Sequence, residues 1–481
     1  MTTNRLAFVL SIALALGAAP HAQAPDRSAP PPAGPTPRLQ VPPLLARTLA
    51  NGLAVRIVEM HEVPVVAVSL VIRSGSAADP DGLSGLASFV SAMLDEGAGD
   101  RDSLALADAV DYLGASLGST SSFDSSAVRL EVPVSRLRDA LPIMADVVQR
   151  PTFPETELNR IREERLTALL QARDDPATIS ATAFPRLVYG QAHPYGRSPV
   201  GAPDTIRAFT VAALRRFHQT HYRPDNATLL VVGDVSAEAV LPLLEDAFGR
   251  WPSPVGARPQ TTVPAAPQLT ERRVFLIDKP GAAQSQIRIG WVGVARSTPD
   301  YFPITVMNTI LGGAFTSRLN QNLREEHGYS YGARSGFDMR ASAGPFQAAA
   351  GVQTDKTAES LTEFFNELEG IRAPVSEDEL TKATNYVALG FPSEFETTGD
   401  MLRRLEELVV NDLPDEYFAS YIPNIQAVSA ADVQRVAERY VQPDKMAVVV
   451  VGDASVVEGP TRALEIGPMR IVPVEEIMGN P

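Results

Sequence analysis

Apolar residues recur along this chain with two periods, and the periods take turns. Thr48 to Leu53, followed by Ala54-Val55-Arg56-Ile57-Val58, predicts a strand, an Asn51-Gly52 turn and a second strand. Val65 to Ile72 is almost wholly apolar, which predicts a central strand. From Gly82 to Gly97 the period becomes helical. Leu86, Phe89, Val90, Met93 and Leu94 fall on one face, while Ser88, Ser91 and Ala92 share another. A Gly-Ser-Gly opening and Gly97 bound a helix of about three turns. Leu104 to Leu113 predicts a helix and Ala127 to Val132 a strand. Val134 to Gln149 is amphipathic through Leu137, Leu141, Met144 and Val148. Thr152 to Glu155 reads as a capping box for a long helix over about Glu155 to Ala172. Val211 to Thr220 is helical, and Ala227 to Val232 is a buried strand ending in Gly233-Asp234.

The second part of the chain repeats this order. Val-Val-Gly-Asp closes the strand before Asp234 and again before Asp453, and Gly233 and Gly452 stand 219 residues apart. Pro224-Asp225 and Pro443-Asp444 share that offset, and Gly114-Ala115 recurs as Gly332-Ala333. Ser376 to Glu379 is a second capping box where the first half has Thr152 to Glu155. Four landmarks at a near-constant offset predict two homologous halves, residues 45–250 and 271–475. Prolines crowd the stretch between them, 251–270, which reads as a linker. Hairpin strands mixed with long helices make each half α+β, with a largely antiparallel sheet. Gly459 to Pro481 reads as an extended tail.

Composition changes this picture mainly at the ends. Arg5, the uncharged apolar run Leu6 to Ala19 and Ala22-Gln23-Ala24 read as a signal peptide, residues 1–24, cut after Ala24. That implies a periplasmic or secreted protein. The run is too short to span a bilayer, and no later segment is long and apolar enough. Residues 25–44 form a Pro/Ala-rich arm, with folded sequence expected from near Arg47. There is no cysteine, so neither disulfides nor thiolate ligands contribute. The formal net charge is −15, and removing the signal peptide makes it one unit more negative. Such a chain is a poor partner for nucleic acid or an anionic membrane.

Candidate chemistry is concentrated in two stretches. Gly85-Leu86-Ala87 and Met93-Leu94 frame Ser88, Ser91 and Ala92. In the second half, Leu311-Gly312-Gly313 and Ser317-Arg318-Leu319 precede Arg324-Glu325-Glu326-His327-Gly328-Tyr329-Ser330-Tyr331. Gly312 and Gly313 read as a turn that opens a helix, and Gly328 as the residue that stops it. Arg324 can pair with Glu325, and Tyr331 can start a strand and fill core. His218 and His221 form an H-x-x-H pair with no third ligand in view. No G-x-S-x-G elbow, P-loop or dinucleotide fingerprint is present.

The two stretches resemble the signatures of the pitrilysin/insulinase family of inverted zincins, which includes the mitochondrial processing peptidase. The resemblance covers about residues 45 to 475. It implies two similar α/β-sandwich halves facing one another around a chamber. The family's H-x-x-E-H falls on Ser88, Ser91 and Ala92, which cannot bind zinc or act as a general base. Its third ligand, counted back from Pro176, falls near Thr167 or Ala168, with Glu163 and Glu164 a turn earlier on a solvated face. No catalytic residue and no metal are therefore expected on this chain. The resemblance assigns Arg324 and Tyr331 to the backbone carbonyls of a peptide substrate. Gly312 and Gly313 either let that backbone approach closely or only make the turn. The pattern resembles the zinc-less subunit of a heterodimeric peptidase. That implies a zinc-bearing homologous partner and a peptide or unfolded polypeptide as substrate. The alternative is a non-proteolytic binding or scaffold protein on the same fold.

Overall fold

The structure, a computed structural model, describes residues 39–253 and 255–480. The expected signal peptide and most of the Pro/Ala-rich arm lie outside the described residues. The folded part begins earlier than the expected start near Arg47. Leu39, Val41 and Leu44 already lie against the larger apolar core, because each offers an apolar side chain that burial removes from water.

Six strands form the first sheet: β1 (Leu44–Thr48), β2 (Ala54–Glu59), β3 (Val65–Ile72), β4 (Ser116–Ser121), β5 (Ser126–Pro133) and β6 (Ala227–Gly233). Their order is β1-β2-β6-β3-β5-β4, and only the β2–β6 pairing is parallel. The second sheet holds β7 (Arg273–Asp278), β8 (Gln284–Val292), β9 (Ser330–Phe337), β10 (Pro345–Gln353), β11 (Ala447–Gly452) and β12 (Met469–Val472). Its order is β9-β10-β8-β11-β7-β12, with β7 parallel to both β11 and β12. Five strands of each sheet correspond. The sixth does not: an N-terminal antiparallel strand fills the edge in one sheet and a C-terminal parallel strand in the other. The expected extended tail is therefore a correction. Residues Ala454–Ala463 form a helix, β12 pairs with β7, and Val474–Met478 form a final short helix.

Both sheets are covered on both faces, which explains the continuous apolar runs. Val66, Val68 and Leu70 of β3 join the first-half core, whereas Ala67 and Val71 join a core built mainly from the second half. β11 divides likewise. Val448 and Val450 face one core, and Val449 and Val451 face Ile179, Ala183 and Phe184.

Those last residues belong to a first-half helix that crosses to the second sheet. Four helices carry the rest of the argument: α1 (Leu86–Met93), α2 (Glu155–Ala172), α3 (Pro176–Tyr189) and α4 (Thr398–Val410). α3 lies on β8 and β11, and α4, from the second half, lies on β3 and β6. Each half thus lends a helix to the other's sheet. The α4 contact is charged: Arg129 Nε and Ser69 Oγ each donate to Glu406 Oε1 at 2.7 Å. At the α3 contact an arginine meets a hydroxyl instead of a carboxylate: Arg288 Nε donates to Ser180 Oγ at 3.0 Å.

Three local expectations need correction. α1 ends at Met93 after eight residues rather than running to Gly97. Gly97, at φ 151, instead starts a two-residue strand paired with Arg101–Asp102. The first capping box does not form. Pro154 takes the N-cap position of α2, and buried Phe153 turns the chain before it at φ 50. A proline offers neither a capping oxygen nor the N–H that a capping box needs. The second box does form, with Ser376 and Glu379 bonded reciprocally. Finally, Gly312 and Gly313 close a helix instead of opening one. Tyr301–Asn308 continues into a wide turn over Thr309–Gly313. No helix among the described residues is long and apolar enough to cross a membrane.

Candidate functional site

α1 is fixed at its start by backbone geometry and one carboxylate. Gly85 sits at φ 90, and a Cβ there would meet Gly201 Cα at 2.5 Å, so glycine is required. Asp79 accepts the Gly85 and Ala87 N–H groups, both at 2.7 Å. Burial pushes its carboxyl up to about 7, against the pull of those two bonds.

The three positions of the degenerate motif have different surroundings. Ser88 Oγ donates to Pro199 O at 2.8 Å and accepts from Arg165 Nη1 at 3.0 Å. Arg165 Nη2 also donates to Ser88 O at 2.8 Å, and its guanidinium lies 4.8 Å from the Phe89 ring. Ser91 is buried, and its Oγ has no partner among the described residues. Ala92 is half-buried. On α2, Thr167 and Ala168 face solvent together with Glu163 and Glu164. Neither Thr167 nor Ala168, where the resemblance places the third ligand, offers a carboxylate. The inward stripe of α2 runs Leu158, Ile161, Arg165, at spacings of three and four, and it delivers the arginine to Ser88.

This set does not fit zinc. A hydroxyl, a methyl group and a guanidinium supply no imidazole and no carboxylate. Burial lowers the Arg165 pKa to about 10, so the side chain stays cationic at neutral pH and would repel a dication. Among the described residues no group of three or more His, Asp or Glu stands close enough to hold a metal. The H-x-x-H pair is absorbed into structure. His218 Nε2 lies 2.8 Å from Val148 O, and His221 Nδ1 lies 2.9 Å from Ser74 Oγ. Burial lowers both pKa values, that of His221 to about 4.

The second-half stretch keeps its polar groups available. Arg324 stacks on Phe315, 4.6 Å from the ring centre, and lies 3.3 Å from Glu325. Tyr331 is 90% exposed and fills no core. Gly312 is where the segment touches β9: a Cβ there would lie 2.3 Å from Ser335 N. Two asparagines hold this geometry. Asn308 Oδ1 accepts from Ser335 Oγ at 2.8 Å, and Asn320 Oδ1 accepts from Ala333 N at 3.1 Å. Sequence reasoning missed both. Asn308 stands four residues before the glycine pair and Asn320 seven after it, and no motif in the sequence marks either.

Gly312, Gly313 and Phe315 line one cavity of about 410 Å³ with residues of β8, β9 and β10. All the residues lining it come from the second half. Ser88, Ser91 and Ala92 are not among them. A guanidinium and a phenol beside a cavity with glycine walls can donate hydrogen bonds to carbonyl oxygens without a metal.

The fold and this site together define a peptidase-type scaffold whose metal constellation has been replaced. Residues 55–185 match the model of the insulinase family, peptidase family M16, and residues 208–387 match that of the M16 inactive domain. The chain belongs to the insulinase (M16) peptidase family. An uncharacterized zinc protease of Streptomyces coelicolor is 25% identical, over 81% of this chain and 85% of that protein. The crystal structure of a peptidase M16 inactive domain from Pseudomonas fluorescens superposes with a TM-score of 0.80 at 25% identity, over 85% of this chain and 98% of that one. The periplasmic protease PqqL of Escherichia coli shares the fold, with a TM-score of 0.72 at 18% identity. The match takes in 91% of this chain but 50% of that one. The protein is thus a homologue of M16 peptidases that lacks the residues of the family's metal motif.

Proposed function

We propose that this chain is the exported, non-catalytic, peptide-binding subunit of a heterodimeric zinc peptidase. One contrast carries the proposal. The metal position is filled by Ser88, Ser91, Ala92 and a cationic Arg165, while half-buried Arg324 stacks on Phe315 and exposed Tyr331 precedes Gly332, and Phe315 and Gly332 both line a cavity. In this role Arg324 and Tyr331 donate to substrate carbonyls, Gly312 and Gly313 line the path of the peptide backbone, and a homologous partner supplies zinc. The size of the scaffold supports a partner, since PqqL holds twice the length matched here. Export rests on the segment read as a signal peptide. The test is peptide cleavage by the assembled pair. Replacing Arg324→Ala together with Tyr331→Phe should lower kcat/KM at least tenfold, as loss of charge-assisted donors does. Unchanged cleavage would remove the substrate role from these two residues.

A further inference from the structure

The cavity beside Gly312 has an uncompensated positive charge. Arg288 of β8 and Arg334 of β9 both pair in register with Ala349 of β10, so the two arginines flank one alanine on a single row of the sheet. Both line the cavity. Arg288 is half-buried and, among the described residues, bonded only to neutral groups: Ser180 Oγ at 3.0 Å and Gln347 Oε1 at 2.9 Å. Arg334 is exposed and makes no ion pair among the described residues. Burial, and then the charge of Arg334, lower the Arg288 pKa.

The molecule contains its own control. The corresponding row of the first sheet is Ser69–Arg129–Gly118. There the single arginine is met by Glu406 from the crossing helix. In the second sheet the crossing helix brings a serine instead. Among the described residues two guanidinium groups are left without a carboxylate, in a chain whose net charge is −15. Like charges held near one another repel, and an anion between them would relieve that repulsion and take paired N–H donors.

We infer that Arg288 and Arg334, across the Ala349 floor of this cavity, bind a carboxylate of the bound peptide, either an acidic side chain or a free C-terminus. This rests on the peptide-binding role proposed above and names the substrate class of that cavity. The local charge runs against the global one: an acidic protein holds a basic pocket for an acidic group.

The test is fluorescence anisotropy with the mature full chain and fluorescein-labelled alanine-rich peptides. One carries a central Asp and an amidated C-terminus, one has Asn in its place, and one has Asn and a free C-terminus. A carboxylate-bearing peptide should bind about tenfold more tightly than the neutral one, and the one that does identifies the source. Arg334→Gln should abolish the preference, and Arg334→Glu should transfer it to a Lys-bearing peptide. Arg334 is exposed and unpaired, so these variants should fold. Equal binding of all three peptides, or a preference that survives Arg334→Gln, would overturn the inference and leave peptide binding standing. No binding of any peptide would overturn both.

Discussion

Arg165 is the residue that most changes the account of the degenerate motif. A chain that had merely lost its ligands would leave small side chains over a gap. Here a guanidinium reaches Ser88 and puts a positive charge at that position. Restoring Ser88→His, Ser91→Glu and Ala92→His should therefore give little zinc, and adding Arg165→Glu should raise it towards one ion per chain, read by elemental analysis after dialysis. Equal zinc contents with and without the fourth change would show that Arg165 does not block the site. A second residue-scale prediction concerns pH. His221 is held neutral, its pKa lowered from 6.5 to about 4 by burial. A base with a lowered folded pKa contributes its full stability above pH 6.5 and loses it as pH falls towards 4. Between pH 7 and 5 the native chain should lose about 1–2 kcal/mol more than His221→Gln, read by urea denaturation. Parallel curves would contradict the assignment. The replaced motif was legible from Ser88, Ser91 and Ala92 alone. Arg165 was not, because local sequence does not show which α2 side chains reach α1; Arg165 does so from the stripe that also carries buried Leu158 and Ile161.

At the scale of elements, the two capping sequences separate what a motif says from what the backbone allows. Ser376 and Glu379 complete their box, so Ser376→Ala should cost about 1 kcal/mol of stability in urea. Thr152 stands two residues ahead of the Pro154 cap, so Thr152→Ala should change stability by less than about 0.5 kcal/mol. Similar losses at both sites would contradict the structural difference. Strands were legible because apolar runs such as Val65–Ile72 and Ala447–Gly452 admit little else. Boundaries were harder wherever tertiary contacts set them. α1 stops early because its exit joins a small hairpin, and the Gly312–Gly313 turn ends a helix because that backbone must lie against Ser335. The sixth strand of the second sheet depends on parallel pairing with β7, which local sequence does not announce.

At the scale of the whole molecule, the repeat gives two sheets and the crossing of α3 and α4 locks them together. The repeat was visible in the sequence, but the exchange of helices was not, since nothing local distinguishes a helix that covers its own sheet from one that covers its neighbour's. That exchange also explains the charge asymmetry: one crossing helix brings Glu406 and the other brings Ser180. The central claim is that this scaffold handles peptide for a zinc-bearing homologue and does no chemistry alone. The most direct measurement is hydrolysis of a quenched fluorescent peptide by this chain, by a candidate zinc-bearing homologue, and by the two mixed, each with and without a chelator. The account predicts no cleavage by this chain alone, and cleavage by the mixture that exceeds that of the homologue and is abolished by the chelator. Cleavage by this chain alone, or a mixture no faster than the homologue, would contradict it.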